Sequence, residues 1–190
     1  EKEAIRELSL ILVASVPTAI IGLLIKKKFS HILTDPWIVV FCLFFTGAIL
    51  FLSSRFSKTQ RETIGYGQAF IIGLSQGIAV LPGISRSGTT IVCGLSLGLS
   101  PERSARFSFF ISLPAITGAA LLELKDANEA IQWTHLGLGM LVSFLAGLFA
   151  ISWMIRLTQR GQLKSFSYYV VSLALLFVFL LTSGLGKGVL

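Results

Sequence analysis

The sequence predicts an all-α integral membrane protein with five transmembrane helices and one re-entrant helical hairpin. Three observations predict it. Apolar residues make up 54% of the 190-residue chain and charged residues 13%, against about 25% charged in a typical soluble domain. Mean hydropathy is +0.82. Five separate stretches approach the roughly twenty apolar residues that a span requires. A soluble domain of this length cannot bury so much apolar surface, and a disordered chain does not carry it. The 15 Phe and 18 Gly fit helices that meet lipid outside and pack closely inside.

The first span covers 8–25 and closes on Lys26, Lys27 and Lys28. The second covers 37–53, with Trp37 as an interfacial anchor and Arg55, Lys58 and Arg61 after it. The third, 104–122, carries Arg106 near its start. The fourth, 136–155, ends before Arg156, Arg160 and Lys164, and the fifth, 166–182, is headed by Tyr168 and Tyr169. Pro17 and Pro114 fall inside spans, where neighbouring groups satisfy the freed carbonyls.

Residues 65–99 behave differently. An apolar run to Leu81 meets Pro82-Gly83, then the polar string 85–90, then a second apolar run of about eleven residues, too short to cross alone. Two short arms around a broken centre predict a re-entrant hairpin, whose irregular backbone must be covered by protein or line a cavity. Basic residues test the topology. If 65–99 enters and leaves on one side, that side holds ten Lys and Arg and the other five, with Arg86 inside. A single crossing gives seven and eight, without the positive-inside bias. The hairpin topology places Glu1 in the cytoplasm and Leu190 outside.

The formal charge of +7 therefore sets topology and suits anionic lipid rather than nucleic acid. Cys42 and Cys93 sit in apolar runs and read as packing residues. The opening EKEAIRE lacks the form of a cleavable signal, and a start at Glu1 rather than Met suggests sequence upstream.

Arg86 is the most informative residue. A charge deep in the bilayer costs several kcal/mol and usually faces a cavity or a partner. No Asp or Glu lies between Glu62 and Glu102, so an anionic ligand would serve. Gly83 and Gly88 let backbone approach a ligand closely. Ser85, Ser87, Thr89 and Thr90 supply hydroxyls. A helix restarting near Gly88 aims free amides at the loop, a phosphate-binding arrangement, and arginine adds a planar fork suited to phosphate. For any single hydroxyl, capping of the second half-helix is an equal alternative. For the whole string, a structural role would leave the arginine without a counter-charge.

Other candidates carry less. Gln68 and Gln76 sit in the first arm, where interhelical packing explains either; Gln76, six residues before Pro82, is also placed to reach the cavity. His31 and His135 fall in connecting loops without metal-ligand spacing. Glu123, Asp126 and Glu129 read as a solvated acidic loop. No metal ligand is assigned.

Residues 73–90, GLSQGIAVLPGISRSGTT, resemble the second signature of the bacterial undecaprenyl-diphosphate phosphatase family (BacA/UppP). LGLSPERSARFSFFISLPAITG, 97–118, resembles the family's segment around an Arg-Phe-Ser-Phe run, here Arg106-Phe107-Ser108-Phe109, and ASVPTAIIGLLI, 14–25, resembles a preceding span. The resemblance implies a polytopic inner-membrane hydrolase that removes one phosphate from the C55 polyprenyl diphosphate carrier, recycling it for envelope polymers such as peptidoglycan. It implies a fold of two inverted repeats, each a hairpin followed by three spans. Residues 8–53 would be the last two spans of repeat one, and 65–99 with 104–182 the whole of repeat two, all in one membrane domain over 1–190. Arg86, Ser85, Ser87 and Thr90 would be catalytic; Gly83, Gly88, Thr89 and Gln76 would bind substrate.

The resemblance also implies a divalent cation, Mg²⁺ or Ca²⁺, that offsets the diphosphate charge, and leaves a homodimer open. The family's first signature, an E-x-x-x-E hairpin followed by a Pro-Ser-Ser-type loop with a His, has no counterpart here. The chain therefore reads as a fragment whose acidic residues lie elsewhere, inactive alone. A lipid-phosphate flippase of the same architecture and a non-catalytic remnant are the alternative readings.

Overall fold

A computed structural model describes residues 2–29, 33–56, 61–126, 133–160 and 162–183. Each of the five apolar stretches is a long helix: α1 (Lys2–Lys28), α2 (Pro36–Leu52), α5 (Pro101–Asp126), α6 (Trp133–Gln159) and α7 (Leu163–Thr182). Between α2 and α5 lie two short ones, α3 (Tyr66–Ile78) and α4 (Arg86–Ser96), of 13 and 11 residues. There is no strand among the described residues. All five long helices are apolar enough to cross a membrane, and the protein is a multi-pass integral membrane protein. None of the apolar window of α6 is buried; that surface needs an apolar medium rather than water.

Local chemistry sets the ends. Asp35 caps α2 by accepting from the Trp37 amide at 2.8 Å, with Pro36 at the first helical position. Lys26, Lys27 and Lys28 occupy the last turn of α1, where the helix dipole favours cations. Two elements run further than their apolar stretches. The helix formers of 121–125 carry α5 through Asp126, so Glu123 and Asp126 are helical rather than in a loop. Likewise α6 begins at Trp133, which places His135 in its exposed first turn and not in a connection. His31 and Glu129 lie outside the described residues.

The hairpin is gripped from two sides. On one, α3 lies along α1, and Leu10, Ala14, Ala69 and Ile72 form a buried cluster with Phe107 and Ile111 of α5. On the other, Leu50 of α2, Ile91, Val92 and Leu95 of α4, and Leu163 and Val170 of α7 form a second. The α1–α3 contact is close because Gly73 faces Ala14 and its carbonyl accepts from Thr18 Oγ1 at 2.8 Å, a small-residue seam of the kind that membrane helices use. The α2–α7 contact has its own seam: Ser167 Oγ donates to the Gly47 carbonyl at 2.8 Å. A methyl group on Gly47 would meet only the end of the Val171 side chain, at 2.6 Å. Because a β-branched side chain in a helix is held to one χ1 rotamer, α2 and α7 would have to part slightly, and Gly47→Ala is expected to cost about 1–3 kcal/mol, read as a fall in thermal unfolding temperature.

Both ends of the hairpin return to one end of the molecule. Gln68 Nε2 donates to the Leu97 carbonyl at 3.0 Å, and the Ser100 amide to the Arg61 carbonyl at 3.0 Å. The start of α1 joins them there: Arg6 donates to the Ile64 carbonyl at 2.8 Å, and Arg103 pairs with Glu7. Gln159 reaches Glu102, and Lys164 stands 4.6 Å over the Phe51 ring. This end therefore gathers Arg6 of α1, Arg103 of α5 and Lys164 of α7, while Lys26, Lys27 and Lys28 close the far end of α1.

Candidate functional site

The hairpin tip is a polar interruption flanked by the two buried clusters, and each of its turns has a local cause. Ile84 closes a tight turn on the Leu81 carbonyl at 3.1 Å. Gly83 adopts φ +92°, and a side chain there would meet the Val39 carbonyl of α2 at 2.5 Å, so only glycine fits. Ser85 then caps α4, its Oγ accepting from the Gly88 amide at 3.1 Å. That cap starts the helix at Arg86, two residues earlier than the polar string suggests. Gly88 is buried, with no room for a methyl group beside Ser85 Oγ at 2.9 Å and Leu50 at 3.2 Å.

A residue outside the motif holds the tip. Thr46 of α2 is buried, and its Oγ1 donates to the Gly83 carbonyl at 2.9 Å while accepting from the Ser85 amide at 3.0 Å. Thr46 lies six residues from the basic end of α2 and ten from the other, or about 9 and 15 Å along the axis. The tip is thus well inside the span.

Arg86 and Ser87 line a cavity of about 380 Å³ between α4, α5 and α6. Ser108 and Ser112 add two hydroxyls from α5; Phe109, Ile116, Ile151, Met154 and Ile155 supply most of the remaining wall. The Arg86 side chain is exposed and makes no ion pair or hydrogen bond among the described residues. The other motif residues lie behind this surface. Thr90 is buried; its Oγ1 lies 2.9 Å from the Arg86 carbonyl and 2.5 Å from Ser108 Oγ, tying α4 to α5. Thr89 is buried, and its hydroxyl has no partner among the described residues. Gln76 faces the α1–α3–α5 interface, where its Nε2 donates to Thr18 Oγ1 and to the Ile111 carbonyl, each at 3.2 Å. Sequence reasoning missed Thr46, Ser108 and Ser112. Thr46 sits in an apolar span with no motif of its own. Ser108 lies in the Arg-Phe-Ser-Phe run and Ser112 in the same 97–118 segment, and their i, i+4 spacing puts them on one helix face, but nothing in the run itself marks either as lining a cavity.

Among the described residues no three His, Cys, Asp or Glu side chains come together in a group that could hold a metal ion. The described residues thus do not fit a divalent cation by themselves, and no chemistry is routed through one.

A polar break in a helical hairpin, set inside the span beside a largely apolar cavity, defines a class: polytopic membrane proteins whose irregular backbone at membrane depth is covered by packed helices. Comparison with known proteins narrows it. Residues 1–176 match the family model described as bacitracin resistance protein BacA, and the chain belongs to that family. An undecaprenyl-diphosphatase of Halothermothrix orenii is 41% identical over 166 residues, 84% of this chain and 64% of that protein. One from Alkaliphilus metalliredigens is 41% identical over 177 residues, 88% and 64%. One from Rhodopirellula baltica is 36% identical over 182 residues, 92% and 71%. The chain thus spans about two thirds of the length of the curated relatives it matches.

Proposed function

We propose that this chain belongs to an undecaprenyl-diphosphatase and supplies the phosphate-binding part of its active site. The reaction would take C55 polyprenyl diphosphate to the monophosphate and inorganic phosphate, with Arg86 at its centre. The observation that carries the reading is a cavity that joins a guanidinium without a partner among the described residues to an apolar wall. A lipid diphosphate has the same two parts, an anionic head and a long apolar tail. In hydrolysis a bond forms from the attacking oxygen to the terminal phosphorus while the bridging P–O bond breaks, and the monophosphate leaves. Charge then spreads over the transferred phosphoryl oxygens, where the Arg86 fork and the amides opening α4 stabilise it. Ser87 contacts the head directly, whereas Ser85, Thr90, Gly83 and Gly88 hold the backbone that presents it.

The hairpin is read as re-entrant in the bacterial cytoplasmic membrane, its basic end on the cytoplasmic side by the positive-inside rule. The test is phosphate release by the purified intact protein from a polyprenyl diphosphate in detergent, alongside proteoliposomes that score lipid movement. Phosphate release supports the reading; lipid movement without release turns the same cradle into a carrier's.

A further inference from the structure

We infer that Thr46, from a helix that carries none of the motif, is a positioning residue for the phosphate cradle. The inference rests on the phosphatase reading of the same site. It begins with the amides of α4. The opening of a helix leaves four N–H groups without intrahelical partners. Here they belong to Ser85, Arg86, Ser87 and Gly88. The Gly88 amide is taken by Ser85 Oγ. The Ser85 amide is taken by Thr46 Oγ1. Those of Arg86 and Ser87 have no partner among the described residues. The two free amides are consecutive, and they belong to the two motif residues whose side chains line the cavity. Two hydroxyls thus consume the outer pair of donors and leave the inner pair, with the guanidinium, for an anion.

Thr46 does more than fill a donor. Because its one hydroxyl both accepts from the Ser85 amide and donates to the Gly83 carbonyl, it fixes the two peptides on either side of Ile84. Those peptides set the direction in which α4 starts. Gly83 lies against the Val39 carbonyl of the same helix, so α2 is the template on which the tip is shaped. Valine matches threonine in shape and lacks both bonds. With it, the Gly83 carbonyl and Ser85 amide would lose their partner in a part-buried setting inside the span. The tip would turn to recover them, and the opening of α4, with its two free amides, would shift relative to the cavity that Arg86 and Ser87 line.

The experiment uses the intact protein carrying Thr46→Val, Thr46→Ser or Arg86→Ala. It measures kcat and KM for a polyprenyl diphosphate, the inhibition constant of inorganic phosphate, and thermal unfolding. The expected result for T46V is a rise of about tenfold in both KM and the phosphate constant. T46S keeps the hydroxyl and is expected within about threefold of the parent protein. A purely structural role would lower the unfolding temperature and the active fraction but leave both constants alone; that result overturns the inference. Equal damage from T46S and T46V overturns it as well. Should T46V fail to fold, Thr46→Cys, whose thiol bonds only weakly, carries the same measurement. If Arg86→Ala leaves turnover and phosphate affinity unchanged, the phosphatase reading itself falls; if only the Thr46 variants are silent, that reading stands and the inference alone is lost.

Discussion

Replacing Arg86 by alanine in the intact protein is expected to lower phosphate release from a polyprenyl diphosphate by about a thousandfold or more. The size follows from the surroundings. Among the described residues, Arg86 is the one cationic residue lining the α4–α5–α6 cavity, whose wall is otherwise hydroxyls and apolar side chains. Beside an apolar wall inside the span, the attraction of a guanidinium for a bound anion is worth more than in bulk water. The helix amides would remain in the variant and hold the head group weakly. Lysine keeps the charge but not the fork, so Arg86→Lys is expected to recover part of the loss and remain about ten- to a hundredfold down.

Stability should move the other way. Arg86 is the first helical residue of α4, where the helix dipole is positive and a cation is unfavourable. Its side chain has no partner among the described residues. Alanine is therefore expected to leave the unfolding temperature of the ligand-free protein unchanged or slightly raised, while phosphate should protect the parent protein and not the variant. A large fall in unfolding temperature would show that Arg86 is a structural residue; near-normal turnover would sink its assignment to the phosphate. A residue that costs the resting fold something and serves only a ligand is the pattern expected of a functional site.

How much of this was legible in the sequence depends on the range of the interaction concerned. The spans are local: their length and polarity are written in consecutive residues, and every one of the five predicted stretches is a long helix. The cap at Ser85 is local too, since a serine opening an apolar run carries its own signal. Arg86 stood out because a charge in an apolar context has few structural uses. By contrast, Thr46 sits in the run FFTGAIL, where nothing nearby shows that its hydroxyl meets a loop 37 residues on. Thr90 misleads for the same reason. Its place in the motif suggests ligand contact, but the structure turns it toward Ser108, 18 residues away on another helix. Sequence showed that hydroxyls were present and not which of them the tertiary packing would use up.

The same limit applies to glycine, and it yields the second large prediction. Ala69, Gly73 and Gly77 recur every four residues along α3, which marks a small-residue stripe without naming its partner. The structure supplies the partner. A methyl group on Gly73 would lie 2.1 Å from the Ala14 carbonyl oxygen and 2.7 Å from its carbonyl carbon and Cα. Backbone atoms cannot rotate aside, so α3 would have to withdraw from α1 by about an ångström. That movement would stretch the bond from Thr18 to the Gly73 carbonyl and the bond from Gln76 to Thr18, both of which tie the hairpin to α1. Gly73→Ala is therefore expected to destabilise the protein by about 3 kcal/mol, the upper end for a single overpacked site.

Gly67, on the same helix, is the matched control: nothing lies within 4 Å of its added methyl group. Gly67→Ala is expected to hold or raise the unfolding temperature, since alanine is the better helix former by about 1 kcal/mol. Equal unfolding temperatures for the two variants would refute close α1–α3 packing. The functional consequence reaches past stability. The α3 helix feeds directly into the turn that ends at Gly83, and Thr46 holds that turn on the opposite side. An α3 displaced at Gly73 would pull the tip against its anchor on α2. Whatever G73A protein still folds is therefore expected to bind inorganic phosphate more weakly than the parent, although Gly73 itself does not line the cavity.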